Sequence, residues 1–479
     1  MNWTLVLPEI SLAATALVLI ALDLLGLRRG ILVLVSVGGL FLSMGLGVTL
    51  WGEAGATAFG GMLVVDQFAL FFKLLFPAVA ILVILASADY VRHFRRFQGE
   101  YYALILLSTL GMMFMAATGE LVSIYISLEL TGISLYVLAG FLKDERSSEA
   151  GLKYLLLGAI ASAVFLYGMA MVFGLTGETR LGEIASVLGG TDASPALYLG
   201  VVLLVAGLGF KIASVPFQMW VPDVYEGAPT PITAFLSVAS KAAGFAVVLR
   251  LFSNAFGSPS WLAHDWGMLF AVLAAVTMTV GNFFALVQTN IKRLLGYSSI
   301  AHAGYIMMGV AAVGLGGEAL GSSGVLFYLL AYGVTNMAVF IAVIAISEGV
   351  GTDLISGYSG MARRSPALAL ALAVGLVSLI GLPPAAGFVA KVYIFNSALQ
   401  QGLAWLVVIA VLNSVVSAYY YLGVVKTMYL GQPPEGGRVL ASWPVLAALA
   451  VSSAGVLVVG IFPTEFVRLA EAALRILTS

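Results

Sequence analysis

The chain has 479 residues, 61% of them hydrophobic and only 9% charged, with a formal net charge of −1. A soluble domain carries roughly a quarter charged residues, so this composition describes an all-α, polytopic membrane protein, and its long continuous apolar runs exclude a transmembrane barrel. No basic excess argues for nucleic acid, there is no cysteine, and the only histidines are His93, His264 and His302; this excludes thiolate-ligated iron–sulfur clusters and argues against a buried haem or metal centre.

In chain order, Met1 to Asp23 lacks a basic leader and a cleavage site, and reads as a first span rather than a removed signal peptide. Apolar runs of about 20 residues follow, giving spans near 4–25, 31–51, 66–87, 102–118, 120–140, 149–175, 196–221, 230–252, 266–289, 294–314, 322–347, 366–398, 403–430 and 443–463. That predicts about fourteen transmembrane helices, two of which nearly touch at Gly119, and a short amphipathic tail over 464–479. The longest loops, 176–195 and 348–365, are too short for a soluble catalytic fold, and 52–65 is a Gly-rich loop.

Loop cations predict the orientation. Arg28, Arg29, Arg92, Arg95, Arg96, Lys143, Arg146, Lys292, Arg293, Arg363, Arg364 and Arg438 fall on one side, and Arg180, Arg250, Arg468 and Arg475 on the other. Both termini are therefore expected on the non-cytoplasmic side, with Lys426 near the cytoplasmic end of span thirteen.

Two spans are interrupted. The seventh runs through Gly209-Phe-Lys-Ile-Ala-Ser-Val-Pro216 and on past Trp220, Pro222, Asp223, Tyr225 and Glu226 to Pro229 and Pro231. The twelfth is broken by Gly381-Leu-Pro-Pro-Ala-Ala-Gly387, with Lys391 within two turns of the break. Proline removes a backbone donor, and freed carbonyls inside a bilayer are tolerated only where they face protein or water. Matched breaks five spans apart, each with one lysine, predict two five-helix units of inverted topology. The expected division is one membrane domain over 1–479: N-terminal helices 1–101, a first unit 102–252, a second unit 265–430, and a C-terminal helix and tail 443–479.

The ionisable residues sharpen this picture. Five of eight lysines (Lys73, Lys153, Lys211, Lys241 and Lys391) and Glu129 lie inside apolar stretches, whereas the fourteen arginines sit at or near span ends. A charge at mid-bilayer costs roughly 2.5–3.5 kcal/mol. Lysine can give up its proton when buried, and arginine effectively cannot. Glu129, Lys211 and Lys241 fall near mid-depth, where a Glu129–Lys211 pair would act as a charge switch or stay a static ion pair. Lys153, about one turn inside its span, either snorkels to the surface or relays protons inward. Lys73 shares a helical face with Asp66 and either pairs within the bundle or meets a neighbouring subunit. Lys391 is the mid-depth cation of the second half, and His302 stands where an imidazole would bridge the halves. Tyr328, Tyr332, Thr335 and Asn336 form a polar stripe suited either to water or to neighbouring helices.

The run Lys211-Ile-Ala-Ser-Val-Pro-Phe-Gln-Met-Trp-Val-Pro-Asp-Val-Tyr-Glu-Gly-Ala-Pro-Thr-Pro-Ile-Thr-Ala-Phe235, followed by Ser240-Lys241, resembles the antiporter-like subunits of respiratory complex I, the proton-pumping NADH:quinone oxidoreductase. Supporting stretches are Leu7-Pro-Glu9, the Glu129 segment, Lys292-Arg-Leu-Leu-Gly-Tyr-Ser-Ser-Ile-Ala-His-Ala-Gly-Tyr305 and Gly381-Leu-Pro-Pro-Ala-Ala-Gly-Phe-Val-Ala-Lys391. The likeness spans essentially the whole chain and is nearest to the subunit N branch (subunit 2 in mitochondria), because subunits L and M typically carry histidine where this chain has Lys241. The resemblance implies a proton path in which Glu129 and Lys211 pair, Lys153 serves the cytoplasmic intake, Lys241 is central and Lys391 lies on the output side. It also implies a bacterial plasma-membrane location and neighbours such as subunits M and K. NADH, FMN, iron–sulfur clusters and quinone would be bound in partner subunits, with no cofactor in this chain. The competing expectation is a multisubunit cation/proton antiporter without redox coupling.

Overall fold

In the computed structural model, residues 3–53, 55–91, 97–433 and 437–474 are described. His93 and four of the orientation-setting arginines (Arg92, Arg95, Arg96 and Arg475) lie outside them. The chain opens with α1 (Leu7–Leu24) and α2 (Arg29–Thr49). The Gly-rich loop closes into a small antiparallel hairpin, β1 (Ala56–Ala58) with β2 (Leu63–Val65), Ala56 opposite Val65. Then come α3 (Gln67–Tyr90), α4 (Gln98–Ala117), α5 (Leu121–Ala139), α6 (Glu145–Thr176), the short α7 (Leu181–Leu188), α8 (Pro195–Ile212), α9 (Trp220–Gly227), α10 (Thr230–Phe235) and α11 (Lys241–Asn254). The second half holds α12 (Ser260–Ala285), α13 (Ile291–Gly314), α14 (Glu318–Val350), the four-residue α15 (Met361–Arg364), α16 (Pro366–Ile380), α17 (Ala386–Gln400), α18 (Ala404–Leu430), α19 (Trp443–Ile461) and α20 (Pro463–Ala472).

Among the described residues twelve helices are long and apolar enough to cross a membrane. Two further crossings complete the fourteen expected. One is α13, whose Lys292 and Arg293 lower its hydropathy. The other is α16–α17: each half has 15 residues, or roughly 22 Å of helix, short of the ~30 Å hydrocarbon core, so the halves span together. The discontinuous crossings, α8–α9 and α16–α17, are the seventh and twelfth, and an odd separation sends them through the membrane in opposite directions. The eighth crossing departs from the expected regular helix. A π turn over Leu236–Ser240 joins α10 to α11, directly before Lys241.

Helix starts follow local chemistry. Asp66 accepts from the Ala69 amide at 2.7 Å to cap α3, and Asp144 caps α6 through Ser147 at the same distance. Asn290 caps α13 by accepting from the amides of Lys292 and Arg293. The core of the bundle is the eighth crossing, buried along its full hydrophobic window, while the outer helices present side chains such as Leu17, Leu34, Ile160 and Val415 outward. An apolar exterior over a polar-threaded interior is the arrangement a bilayer solvent favours. This is a multi-pass membrane protein.

At the periphery, one of the two alternatives for Lys73 holds and one expectation needs correction. Lys73 pairs within the bundle, with Glu9 of α1 at 2.7 Å, both side chains 2% exposed. Asp66 takes Arg250 through two bonds of 2.8 Å, and Arg250 also donates to the Ala116 carbonyl. Arg250, counted from sequence as a loop cation, is thus fully buried in α11. A guanidinium fork tolerates this burial because a carboxylate and a carbonyl match its donors.

Candidate functional site

The predicted site residues Lys211, Lys241, His302 and Lys391 are all buried, each no more than 4% exposed. Glu129 is half-buried on α5, and Lys153 stands apart on the side where the loop cations concentrate.

Lys211 occupies the last turn of α8, which ends at Ala213 in the left-handed region. The negative end of a helix dipole favours a cation there. The Trp220 indole donates to the Phe210 carbonyl at the break (3.0 Å), which also accepts from the Ala213 amide, and the Val215 amide donates to Thr277. The Lys211 ammonium itself makes no hydrogen bond. It lies 5.4 Å from the Tyr136 ring centroid and against Gly132, where an added Cβ would come within 3.0 Å of Nζ. Glu129 stands one turn before Gly132 on α5 but forms no direct ion pair with Lys211; its Oε1 is also buried and unbonded. The expected contact pair is therefore a pair of nearby, separated charges. The hydroxyls of Tyr136, Tyr154 and Ser214 are likewise buried without partners. Buried polar groups are normally satisfied, so this cluster offers donors and acceptors that water can bridge.

Lys241 begins α11 straight after the π turn. It donates to the Ser299 carbonyl and, at 2.5 Å, to the Ser299 hydroxyl. Ser299 also bonds the hydroxyls of Tyr332 (3.1 Å) and Tyr225 (3.2 Å). His302 follows one turn along α13, with Nδ1 2.9 Å from the Tyr328 hydroxyl and Nε2 3.4 Å from that of Tyr421, which bonds Ser298 in turn. One turn further, Tyr305 places its ring 4.7 Å from the Lys391 ammonium. Lys391 donates to the Ile380 carbonyl at the broken end of α16 (2.8 Å) and to Ser414 (3.1 Å), whose hydroxyl reaches Tyr305 at 3.4 Å. Ser299, His302 and Tyr305 recur every three residues, so one face of α13 carries a ladder of hydroxyl, imidazole and phenol from Lys241 to Lys391. The stripe on α14 faces this ladder: Tyr328 and Tyr332 join it, Asn336 donates to Tyr332 and Ser237, and Thr335 bonds Ser378 of α16.

Lys153 pairs with Glu149 at 2.7 Å and with Asp223 of α9 at 2.8 Å, in a polar cavity of about 250 Å³. Lys292, read from sequence as an orientation signal, is buried and donates to the Ala228 carbonyl at 2.8 Å. Sequence reading gave no role to Asp223, Ser299, Tyr305, Ser414 or Tyr421, and read Arg293 only as an orientation signal. The run 298–305 held a usable signal, since its polar residues recur at helical spacing in an otherwise apolar span. Asn282 and Asn413, bonded to each other at 3.1 Å beneath Tyr305 and Tyr420, are a second such signal. Among the described residues no group of three or more His, Asp or Glu side chains is arranged to hold a metal ion.

Comparison with known proteins places this arrangement. Residues 118–417 match the family described as NADH:quinone oxidoreductase/Mrp antiporter, transmembrane. The NADH-quinone oxidoreductase subunit N of Dehalococcoides mccartyi is 50% identical, over 98% of this chain and 99% of that protein. A chain of respiratory complex I from Thermus thermophilus, solved with bound aureothin, superposes with a TM-score of 0.82 at 34% identity, covering 97% of this chain and all of that one. A chain of the Mrp complex from Dietzia sp. reaches 0.86 at 21% identity, with 99% and 97% covered, a likeness of fold alone. The chain belongs to the NADH:quinone oxidoreductase/Mrp antiporter transmembrane family, and within it to the NADH-quinone oxidoreductase subunit N proteins.

Proposed function

We propose that this chain moves protons along the Glu129–Lys211–Lys241–His302–Lys391 axis as a membrane-arm subunit of NADH:quinone oxidoreductase. The observation that carries this reading is the ladder on α13: between two buried lysines stand hydroxyl, imidazole and phenol side chains, each able to donate and accept a proton. Lys153, in its open polar cavity, is the intake, and Lys391, held at the broken end of α16, is the output-side residue. The unbonded hydroxyls around Lys211 are the groups that water would bridge between Lys211 and the ladder. Glu129, half-buried on α5, sets the charge beside Lys211 from a distance.

Electron transfer from NADH through FMN and iron–sulfur clusters to quinone belongs to partner subunits. The expected neighbours are an antiporter-like subunit M and small subunits such as K. The units 102–252 and 265–430 form two half-channels of one domain, flanked by helices 1–101 and 443–479. The location is the bacterial plasma membrane, with both termini on the non-cytoplasmic side. The fold shared with the Mrp complex favours one second reading, a cation/proton antiporter subunit without redox coupling; sodium-dependent transport independent of NADH would select it.

Lys391→Ala and Glu129→Ala are expected to lower the protons pumped per NADH oxidised in inverted membrane vesicles, at unchanged complex content. Wild-type pumping in both variants overturns the path.

A further inference from the structure

Asp223 and Glu226 stand three residues apart on α9 and share a face. The two oxygens of Asp223 hold different cations: Oδ2 takes Lys153 of α6 at 2.8 Å, and Oδ1 takes Arg293 of α13 at 2.7 Å. Glu226 accepts from the same guanidinium nitrogen at 3.1 Å and from Asn290 at 3.3 Å. Glu149 balances Lys153 from the other side, and Arg146 and Gly227 complete the cavity wall. The Lys153 side chain is 41% exposed, so water reaches it, whereas Ser299, the α13 residue that holds Lys241, is buried.

We propose that Asp223 is a positioning residue of the proton path, a shared counter-ion that links the charge on Lys153 to the seating of α13 through Arg293. The inference rests on the proton-path reading above. With an ammonium on Lys153, the carboxylate is divided between two cations on two helices. With a neutral amine there, Arg293 alone balances it, and the pull on α9 is directed toward α13. Glu226 keeps α9 docked on α13 in both conditions, because neither of its partners is Lys153. Arg293 lies six residues before Ser299, about 9 Å along a continuous helix, so a shift at the intake reaches the partner of Lys241 through a rigid element. The groups facing Asp223 are thus Arg146, Glu149 and Lys153 on α6, Glu226 on α9, Arg293 on α13 and Asn290 at that helix's cap.

The test uses the assembled complex in inverted vesicles, reading complex content, NADH oxidation and protons pumped per NADH. Asp223→Asn is expected to lower the proton ratio at wild-type complex content, and Asp223→Glu to restore it. Lys153→Gln lowers the ratio too, and the double variant Lys153→Gln/Asp223→Asn falls no further than the worse single one, since both break the same link. An unchanged ratio in Asp223→Asn, or a double variant whose loss is the product of the two single losses, overturns the proposal. Should Asp223→Asn not assemble, Lys153→Gln paired with Arg293→Gln asks the same question at partly exposed side chains: a shared loss supports the bridge and independent losses overturn it. Lys391→Ala and Glu129→Ala in the same vesicles separate the two claims. Wild-type pumping in both sinks the path itself, whereas loss in either with an unchanged Asp223→Asn ratio sinks only the bridge.

Discussion

The two broken crossings solve one problem in opposite ways. Each interrupts a helix near mid-membrane and brings a lysine to a helix end. At α8–α9 the Phe210 carbonyl accepts from the Trp220 indole and the Ala213 amide, and Lys211 is left without a hydrogen bond among unbonded hydroxyls. At α16–α17 the lysine does the capping itself: Lys391 bonds the Ile380 carbonyl and joins a saturated network of Ser414, Tyr305, Asn282 and Asn413. Matching backbone breaks therefore do not imply matching sites. A lysine already bonded to protein is held in place, and one bonded to nothing in the protein is free to exchange partners as nearby charges change. The seventh crossing leaves its lysine without a hydrogen bond, and the twelfth holds its lysine with two.

The largest effect that would break this contrast is on stability. Lys391→Met leaves the Ile380 carbonyl unmatched and is expected to cost about 1–3 kcal/mol, while Lys211→Met removes no bond and is expected to be neutral or stabilising. Thermal melting of the purified complex compares them, and equal losses would remove the distinction. A smaller effect is expected from Gly132→Ala, whose Cβ would meet Nζ of Lys211 and the Tyr136 hydroxyl at 3.0 Å each. It should cost about 1 kcal/mol and lower pumping by displacing Lys211, with a readout that Ala substitution at the more open Gly423 does not reproduce. The smallest is Tyr328→Phe, which removes the Nδ1 partner of His302 at about 0.5–1 kcal/mol. It should slow proton transfer between Lys241 and Lys391 with little change in melting; an unchanged pumping rate would remove His302 from the ladder.

Much of this was legible in sequence because it depends on local rules. Apolar run length locates the spans, proline and glycine mark the breaks at 213–216 and 381–387, and a lysine inside an apolar run stands out whatever it touches. Pairings were not legible. Asp66 and Lys73 share a helical face, yet each found its partner on another helix, Arg250 and Glu9 respectively, because a face is local and a neighbour is not. The π turn before Lys241 left no mark either, since Leu236–Ser240 has no proline or glycine to announce it.

By itself, then, the sequence determined that this is a membrane protein of fourteen crossings with two interrupted spans and ionisable groups at mid-depth. Hydropathy and backbone sterics act within one turn or one span. Only the tertiary structure decided which of those groups bond protein, which stay unbonded, and which carboxylate stands between two cations. Those outcomes depend on side chains from helices far apart in the chain meeting within about 3 Å, the range over which hydrogen bonds and close ion pairs act.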